Sequence, residues 1–324
     1  MNYNLSDTLN FKDNDKILDF KIEKKLGRGS YGHIFLVNNL KNNDREVLKI
    51  LNKEEKYIRN NLNEITILKK LKKNNDNEKL ENHNYIELVS LFIDNFFYNN
   101  HHFIVLKYYS KNLHHEIIKP NINVDSKIIL EISKYILEGL LFLKKNNIIH
   151  ADLKPENILF YDDKSYRVVI CDFNLSIEYN NIKYNYYDFN IQSIWYRAPE
   201  ILFNIKFDYN IDIWSFGCIL FELFYRKPLF TCNTDDELFV KQYCFLGCPN
   251  TNFIKNNKGC KKYFGKNNTP TPLINYQTIY KMNNYKTLLN VSDDNLIKSL
   301  ISGTLNWYSD KRCNVEDCLN MYKN

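Results

Sequence analysis

The rhythm of apolar and polar positions changes near residue 110. Before that point, "DFKIEKKLGRGSYGHIFLVNNL" and "REVLKIL" alternate apolar with polar residues around a glycine turn, which predicts three short strands joined as hairpins. In residues 54–73 the spacing lengthens. Ile58, Leu62, Ile65, Leu68 and Leu71 recur at helical intervals and predict one amphipathic helix. Two more strands are expected at 88–97 and 102–106. Beyond residue 110 helical spacing dominates, with Ile128, Ile129, Ile132, Ile136, Leu140 and Leu143 marking a long helix that stops at "KKNN". "YNIDIWSFGCILFELF" is apolar on nearly all sides, which predicts a helix buried in the middle of the second half. Residues 1–19 read as a polar extension, and residues 247–290, rich in Asn, Lys, Gly and Pro, as a surface insertion. There is no internal repeat.

Composition narrows the class without deciding it. With 324 residues and 44% hydrophobic content, the chain has material for one large domain or for two lobes, and general disorder is excluded. The net charge of +6 comes from 44 basic and 38 acidic residues, with lysine pairs scattered along the chain, so specific nucleic-acid binding is not expected. The abundance of Asn, Lys, Ile and Tyr reads as the codon bias of an AT-rich genome. Eight cysteines without a C-x-x-C pair predict reduced thiols, hence an intracellular protein of the cytoplasm or nucleus, the host's if the source is viral. No apolar run approaches the roughly 18 residues a membrane span needs, and a membrane role is not expected. A monomer is expected.

Candidate chemistry starts at "GRGSYG". Gly27, Gly29 and Gly32 form a G-x-G-x-x-G array, whose missing side chains let backbone N–H groups approach phosphate. A dinucleotide fold would continue into a helix; here "HIFLV" continues as a strand, and Lys49 arrives on the next one. Lys49 stands among Val47, Leu48 and Ile50, so its ammonium needs an anionic partner. Glu64, within the apolar seam of the predicted helix, is the candidate.

"HADLKPEN", followed by "DFN" and "APE", with the ordered series from the glycine loop through Lys49, Glu64, Asp152, Asn157 and Asp172 to Glu200, resembles the catalytic set of eukaryotic protein kinases, and the resemblance runs from about residue 20 to the last helix, nearly the whole chain. The resemblance implies an α+β bilobal fold over residues 20–324. It comprises an N-lobe of antiparallel sheet plus one main helix (20–106), a hinge (107–110) and a larger, mainly helical C-lobe (111–324). It also implies ATP and Mg²⁺ as cofactors and protein Ser/Thr hydroxyls as substrates. On that reading Lys49 holds the nucleotide phosphates, and Asn157 and Asp172 bind Mg²⁺. Asp152 orients and deprotonates the substrate hydroxyl, while Lys154 neutralises the transferring phosphate with Ser193 in support. Ile34, Val47 and Leu159 would sandwich adenine, with Leu106 as gatekeeper and Lys107 to Tyr109 as hinge. His150 is read as a packing residue beneath Phe173 and Leu68, Glu200 as the partner of Arg312, and Asp212 as an anchor for the catalytic-loop backbone.

Three departures bear on activity. Ala151 replaces the arginine that would clamp a phosphorylated activation segment. "HADLKPEN", "IQSIWYRAPE" with Arg197, and "SKNLHHEI" resemble the homeodomain-interacting and dual-specificity tyrosine-regulated kinases of the CMGC group. Asp188 and Asn190 nevertheless occupy that branch's tyrosine positions, and Tyr184, Tyr186 and Tyr187 lie just upstream. Activity independent of tyrosine phosphorylation is therefore expected. Asn174 replaces the last glycine of the metal motif, where a positive φ is expected and Asn is tolerated. The alternative is a pseudokinase, a nucleotide-binding scaffold without phosphoryl transfer.

Overall fold

Alternation of side chains along the early strands sorts them onto two faces of one sheet. The structure, a computed structural model, describes residues 11–29, 32–81, 87–118, 124–182, 191–273, 275–291 and 294–323. The chain divides into two compact units, one of residues 1–85 and 90–109, the other of 86–89 and 110–324. In the first, β1 (Lys16–Ile17), β2 (Phe20–Gly29), β3 (Gly32–Asn39), β4 (Arg45–Leu51), β5 (Phe92–Tyr98) and β6 (His101–Lys107) form an antiparallel sheet. The strand order is β1-β2-β3-β4-β6-β5. Phe35, Val37, Leu48, Ile50, Phe103 and Val105 point to one face and close a core with Ile17 and Ile22. The registers Ile34 to Lys49, Leu36 to Val47, Lys49 to Ile104 and Val47 to Leu106 put the intervening residues on the other.

Two expectations for this unit change. The stretch read as a polar extension supplies β1, and Ile17 is fully buried, because one apolar residue at a sheet edge suffices where local periodicity gives no sign of it. The helix expected at 54–73 is α1 (Glu55–Glu81). Its buried side runs through Asn61, Glu64, Ile65, Leu68, Leu71 and Asn75, while Ile58 and Leu62, counted in the seam, are 45% and 50% exposed.

The second unit is built around helices. Asp125 caps α2 (Ser126–Lys145) by accepting from Lys127 N–H, and the helix buries Ile129, Ile132, Ile136, Leu140 and Leu143. Short strands follow: β7 (Ile148–Ile149) pairs with β10 (Ile177–Glu178), and β8 (Ile158–Phe160) with β9 (Val168–Ile170). Residues 86–89 belong here, with Val89 in a parallel bridge to Ile170 and Leu88 C=O accepting from Ile170 N–H. Next come α3 (Pro199–Leu202) and α4 (Asn210–Tyr225), whose residues 211–223 are all buried, as its apolar circumference requires.

The chain continues through α5 (Asp235–Leu246), α6 (Thr251–Asn256), α7 (Tyr276–Val291), α8 (Asn295–Thr304) and α9 (Val315–Asn320). Residues 247–290 are not simply a surface loop. Cys260, Tyr263, Phe264, Met282 and Tyr285 are buried, and Phe203 sits at the centre of rings from Phe239, Phe253, Tyr263, Phe264 and Trp307. Gly259 is required there, since a Cβ would stand 1.5 Å from the Phe203 carbonyl oxygen.

Candidate active site

In the first unit the buried Lys49 Nζ lies 2.6 Å from Glu64 Oε1. Breaking such a pair by removing one partner would strand a charge and cost roughly 3–5 kcal/mol. Lys49 shares its sheet face with Ile34, Val47, Ile104 and Leu106, so an apolar floor surrounds one cation. The glycines differ in purpose. A Cβ on Gly32, at φ +147°, would stand 1.8 Å from Ile50 C=O, so the crossing of β3 and β4 needs it. Around Gly27 no atom of the described residues lies within 4 Å of that point, so no described packing there calls for a glycine. Gly29 pairs with Gly32 at the end of the hairpin. Lys107 ends β6, its N–H donating to Leu91 C=O, and the buried Tyr109 hydroxyl accepts from Leu91 N–H.

In the second unit, residues 150–157 form a loop between β7 and β8 in which Asp152 is the hub. Its Oδ1 accepts from Ser193 N–H at 2.9 Å and Ser193 Oγ at 2.8 Å. Its Oδ2 accepts from Lys154 Nζ at 2.7 Å and, more weakly, from Asn157 Nδ2 at 3.4 Å. Lys154 Nζ also donates to Ser193 Oγ at 3.0 Å. Four donors thus fix the carboxylate's orientation. Burial pulls the Lys154 ammonium down, but Asp152, with Asp172 and Glu156 further away, outweighs it and the net shift is upward. Asn157 Nδ2 donates to Asp152 C=O at 2.9 Å, and its backbone C=O accepts from Cys171 N–H, which ties the loop to the stretch carrying Asp172. Leu159 is half-buried on β8.

The loop hangs from Asp212 on α4. His150 N–H donates to Asp212 Oδ2 at 2.7 Å and Ala151 N–H to Oδ1 at 2.9 Å. Burial pushes this carboxyl up to about 6, against the opposing pull of His150 and the two N–H groups. His150 is fully buried, edge-on to Phe173 at 5.5 Å, with Nε2 3.0 Å from Cys171 C=O, a packing and hydrogen-bonding role. The backbone strain does not fall where the sequence suggested. Positive φ occurs at Ala151 (61°) and Asp172 (65°), while Asn174 is absent from the positive-φ set and is buried. The "DFN" stretch therefore turns at its Asp, and Asn174 needs no glycine-like backbone.

A protein-family model described as "Protein kinase domain" matches residues 20–322. The chain belongs to the protein kinase family. Among curated proteins it is 32% identical over 307 residues to a probable serine/threonine-protein kinase dyrk2 of Dictyostelium discoideum, covering 93% of this chain and 32% of that protein. Against the serine/threonine-protein kinase ppk5 of Schizosaccharomyces pombe it is 31% identical over 306 residues, covering 93% and 35%. Against the dual specificity tyrosine-phosphorylation-regulated kinase 3 of Mus musculus it is 33% identical over 254 residues, covering 78% and 41%. The chain spans about a third of the length of the first relatives it matches.

In this kinase domain further residues hold the site's frame. Glu200 and Arg312 are buried and bidentate, with Nη1–Oε1 2.7 Å and Nη2–Oε2 2.6 Å. Arg197 pairs with Asp235 at 2.7 Å and donates to Gln192 C=O. Gln192 escaped the sequence reading. Buried, it donates to Ile211 C=O and Ser215 Oγ and accepts from Ala198 N–H, and a glutamine flanked by the apolar pair in "IQSI" was its only signal. Glu222 was missed too: it accepts from the Tyr196 hydroxyl at 2.6 Å, and burial pushes it up to about 7. Tyr184, Tyr186, Tyr187, Asp188 and Asn190 lie outside the described residues. All eight cysteines are free thiols. No helix among the described residues is long and apolar enough to cross a membrane.

Proposed function

We propose that the chain is a serine/threonine protein kinase that transfers the γ-phosphoryl group of ATP to protein hydroxyls. The observation that carries this reading is the loop hub, a carboxylate held by a serine and a lysine that can also reach a transferring phosphate. Asp152 would receive the substrate hydroxyl and take its proton, and Lys154 would balance the charge spread over the moving phosphoryl oxygens. Lys49, held by Glu64, would bind nucleotide phosphates, with Gly27 giving them backbone access. Ile34, Val47, Leu106 and Leu159 would contact adenine, and Lys107 and Tyr109 would form the hinge.

The donor set fits Mg²⁺. Asn157 spends its amide N–H on Asp152 C=O, so its amide oxygen is what it can offer a hard cation, beside the Asp172 carboxylate. Two protein oxygens suit an ion that keeps waters and phosphate oxygens in its shell, and when bound it supplies charge neutralisation on the phosphates. The dual-specificity names of the relatives support extending the reading to tyrosine self-phosphorylation.

The test is transfer from labelled ATP with Mg²⁺ to the protein and to a generic basic substrate, beside Asp152→Asn. Transfer should fall by about three orders of magnitude in the variant. Folded protein that binds ATP but transfers nothing would replace this reading with the scaffold.

A further inference from the structure

Acidic residues vanish from one long stretch of a protein otherwise well supplied with them. Residues 238–292 contain eight lysines and no Asp, Glu or Arg, although an even spread of the 38 acids would place about six there. The segment carries +8 in a chain of net +6, so the remainder is −2. Codon bias raises lysine everywhere. It gives no reason for acids to disappear here while Asp235, Asp236 and Glu237 stand on one side and Asp294 on the other.

The fold gathers part of this charge. Helices α5 and α7 pack together and bring Lys241 and Lys281 close to Lys227, just past the end of α4. The Lys281 ammonium is held below its ordinary range, by burial first and then by repulsion from Lys241 and Lys227. Among the described residues, only Lys262 of the eight has a carboxylate within reach, Asp236 at 3.7 Å. Next to Lys281 in sequence on α7, Tyr280 is 59% and Ile279 39% exposed, and Leu273, just before the helix, is 97% exposed. The stripe that α7 buries is a different one, Met282, Tyr285 and Leu289.

Cations beside exposed apolar groups call for a partner carrying both complements. Nucleic acid fits less well, because lysines lack the planar fork of arginine and aliphatic side chains gain little from a phosphate backbone. A bilayer fits less well, because the continuous apolar stripe of α7 faces the domain. We propose that Lys227, Lys241 and Lys281, with Leu273, Ile279 and Tyr280, dock an acidic segment of a partner protein in which carboxylates alternate with apolar side chains. This surface is independent of the phosphoryl-transfer reading.

The test is fluorescence anisotropy of the full chain with a labelled synthetic peptide of alternating Glu and Leu or Phe. Its Glu-to-Gln counterpart, a single-stranded oligonucleotide of equal charge and phosphatidylserine vesicles serve as competitors. The acidic peptide should bind, weaken with added salt, and lose about tenfold or more in affinity on combined Lys227→Glu and Lys281→Glu. Tyr280→Ser should lower affinity at unchanged salt dependence. Both lysines are exposed, so melting temperature and self-phosphorylation should not move; if the double variant melts early, Lys281→Gln supplies the same comparison. No peptide binding, binding indifferent to charge reversal, or tighter binding to the oligonucleotide or the vesicles would overturn the proposal.

Discussion

Two parts of the second unit are held together by opposite means. Around residues 150–157, polar groups are buried and matched to partners: Asp212 takes two N–H groups, Asp152 takes four donors, and Gln192 ties Ile211 and Ser215 of α4 to the Ala198 N–H. Around Phe203, six aromatic rings fill the space with almost no polar accounting. Hydrogen bonds have direction, so the first arrangement fixes where individual oxygens point. Ring packing has volume but little direction, so the second fixes a platform and leaves its outer surface free to carry charge.

That contrast is most exposed to failure at Phe203. Phe203→Ala should destabilise the protein by roughly 3–5 kcal/mol in denaturant unfolding, yet leave transfer per folded molecule intact. Loss of transfer in protein that is still folded would show that the platform also aligns the loop. Next, Asp212→Ala strands the His150 and Ala151 N–H groups, at about 1–3 kcal/mol each, and should remove most transfer even from folded molecules. Folded, fully active protein would deny Asp212 its anchoring part.

The smallest effect concerns pH. Burial raises Glu222 from 4.5 to about 7, so the folded state holds this proton more tightly than the unfolded chain does. Its contribution to stability is complete below pH 4.5 and is lost as pH rises through 7. Glu222→Gln removes that dependence while still accepting from Tyr196. The fall in melting temperature from about pH 5 to about pH 8 should therefore be shallower in the variant than in the parent. Equal slopes would assign the dependence to another group.

Legibility in the sequence followed the range of the interactions involved. The strands around Lys49 and helices α2 and α4 were readable because period-two and helical patterns are local, and the Asp152 loop because its residues are nearly contiguous. The packing of residues 247–290 was not. Tyr263, Phe264, Met282 and Tyr285 are spaced among Asn and Lys, and what buries them is Phe203 and α5, to which no local periodicity connects them. Ile17 was hidden for the same reason, and Ile58 and Leu62 misled because helical spacing gives a stripe without saying how far along the helix the cover extends. The motif glycine position drew attention to Asn174, whereas positive φ falls at Asp172, two residues before it, and at Ala151 in the other loop.

The short segment 86–89 sets a constraint on biosynthesis. It leaves the ribosome early, but its bridge partner Ile170 follows roughly eighty residues later, about 4–16 s at ordinary elongation rates. Until then its backbone has no strand to join, although the sheet on either side of it in sequence can already close through β6. A fragment ending at residue 109 would carry this orphan permanently. The boundary between the two units is therefore a poor place to divide the chain for expression, and two-piece complementation should work better from a break that keeps residues 86–170 together.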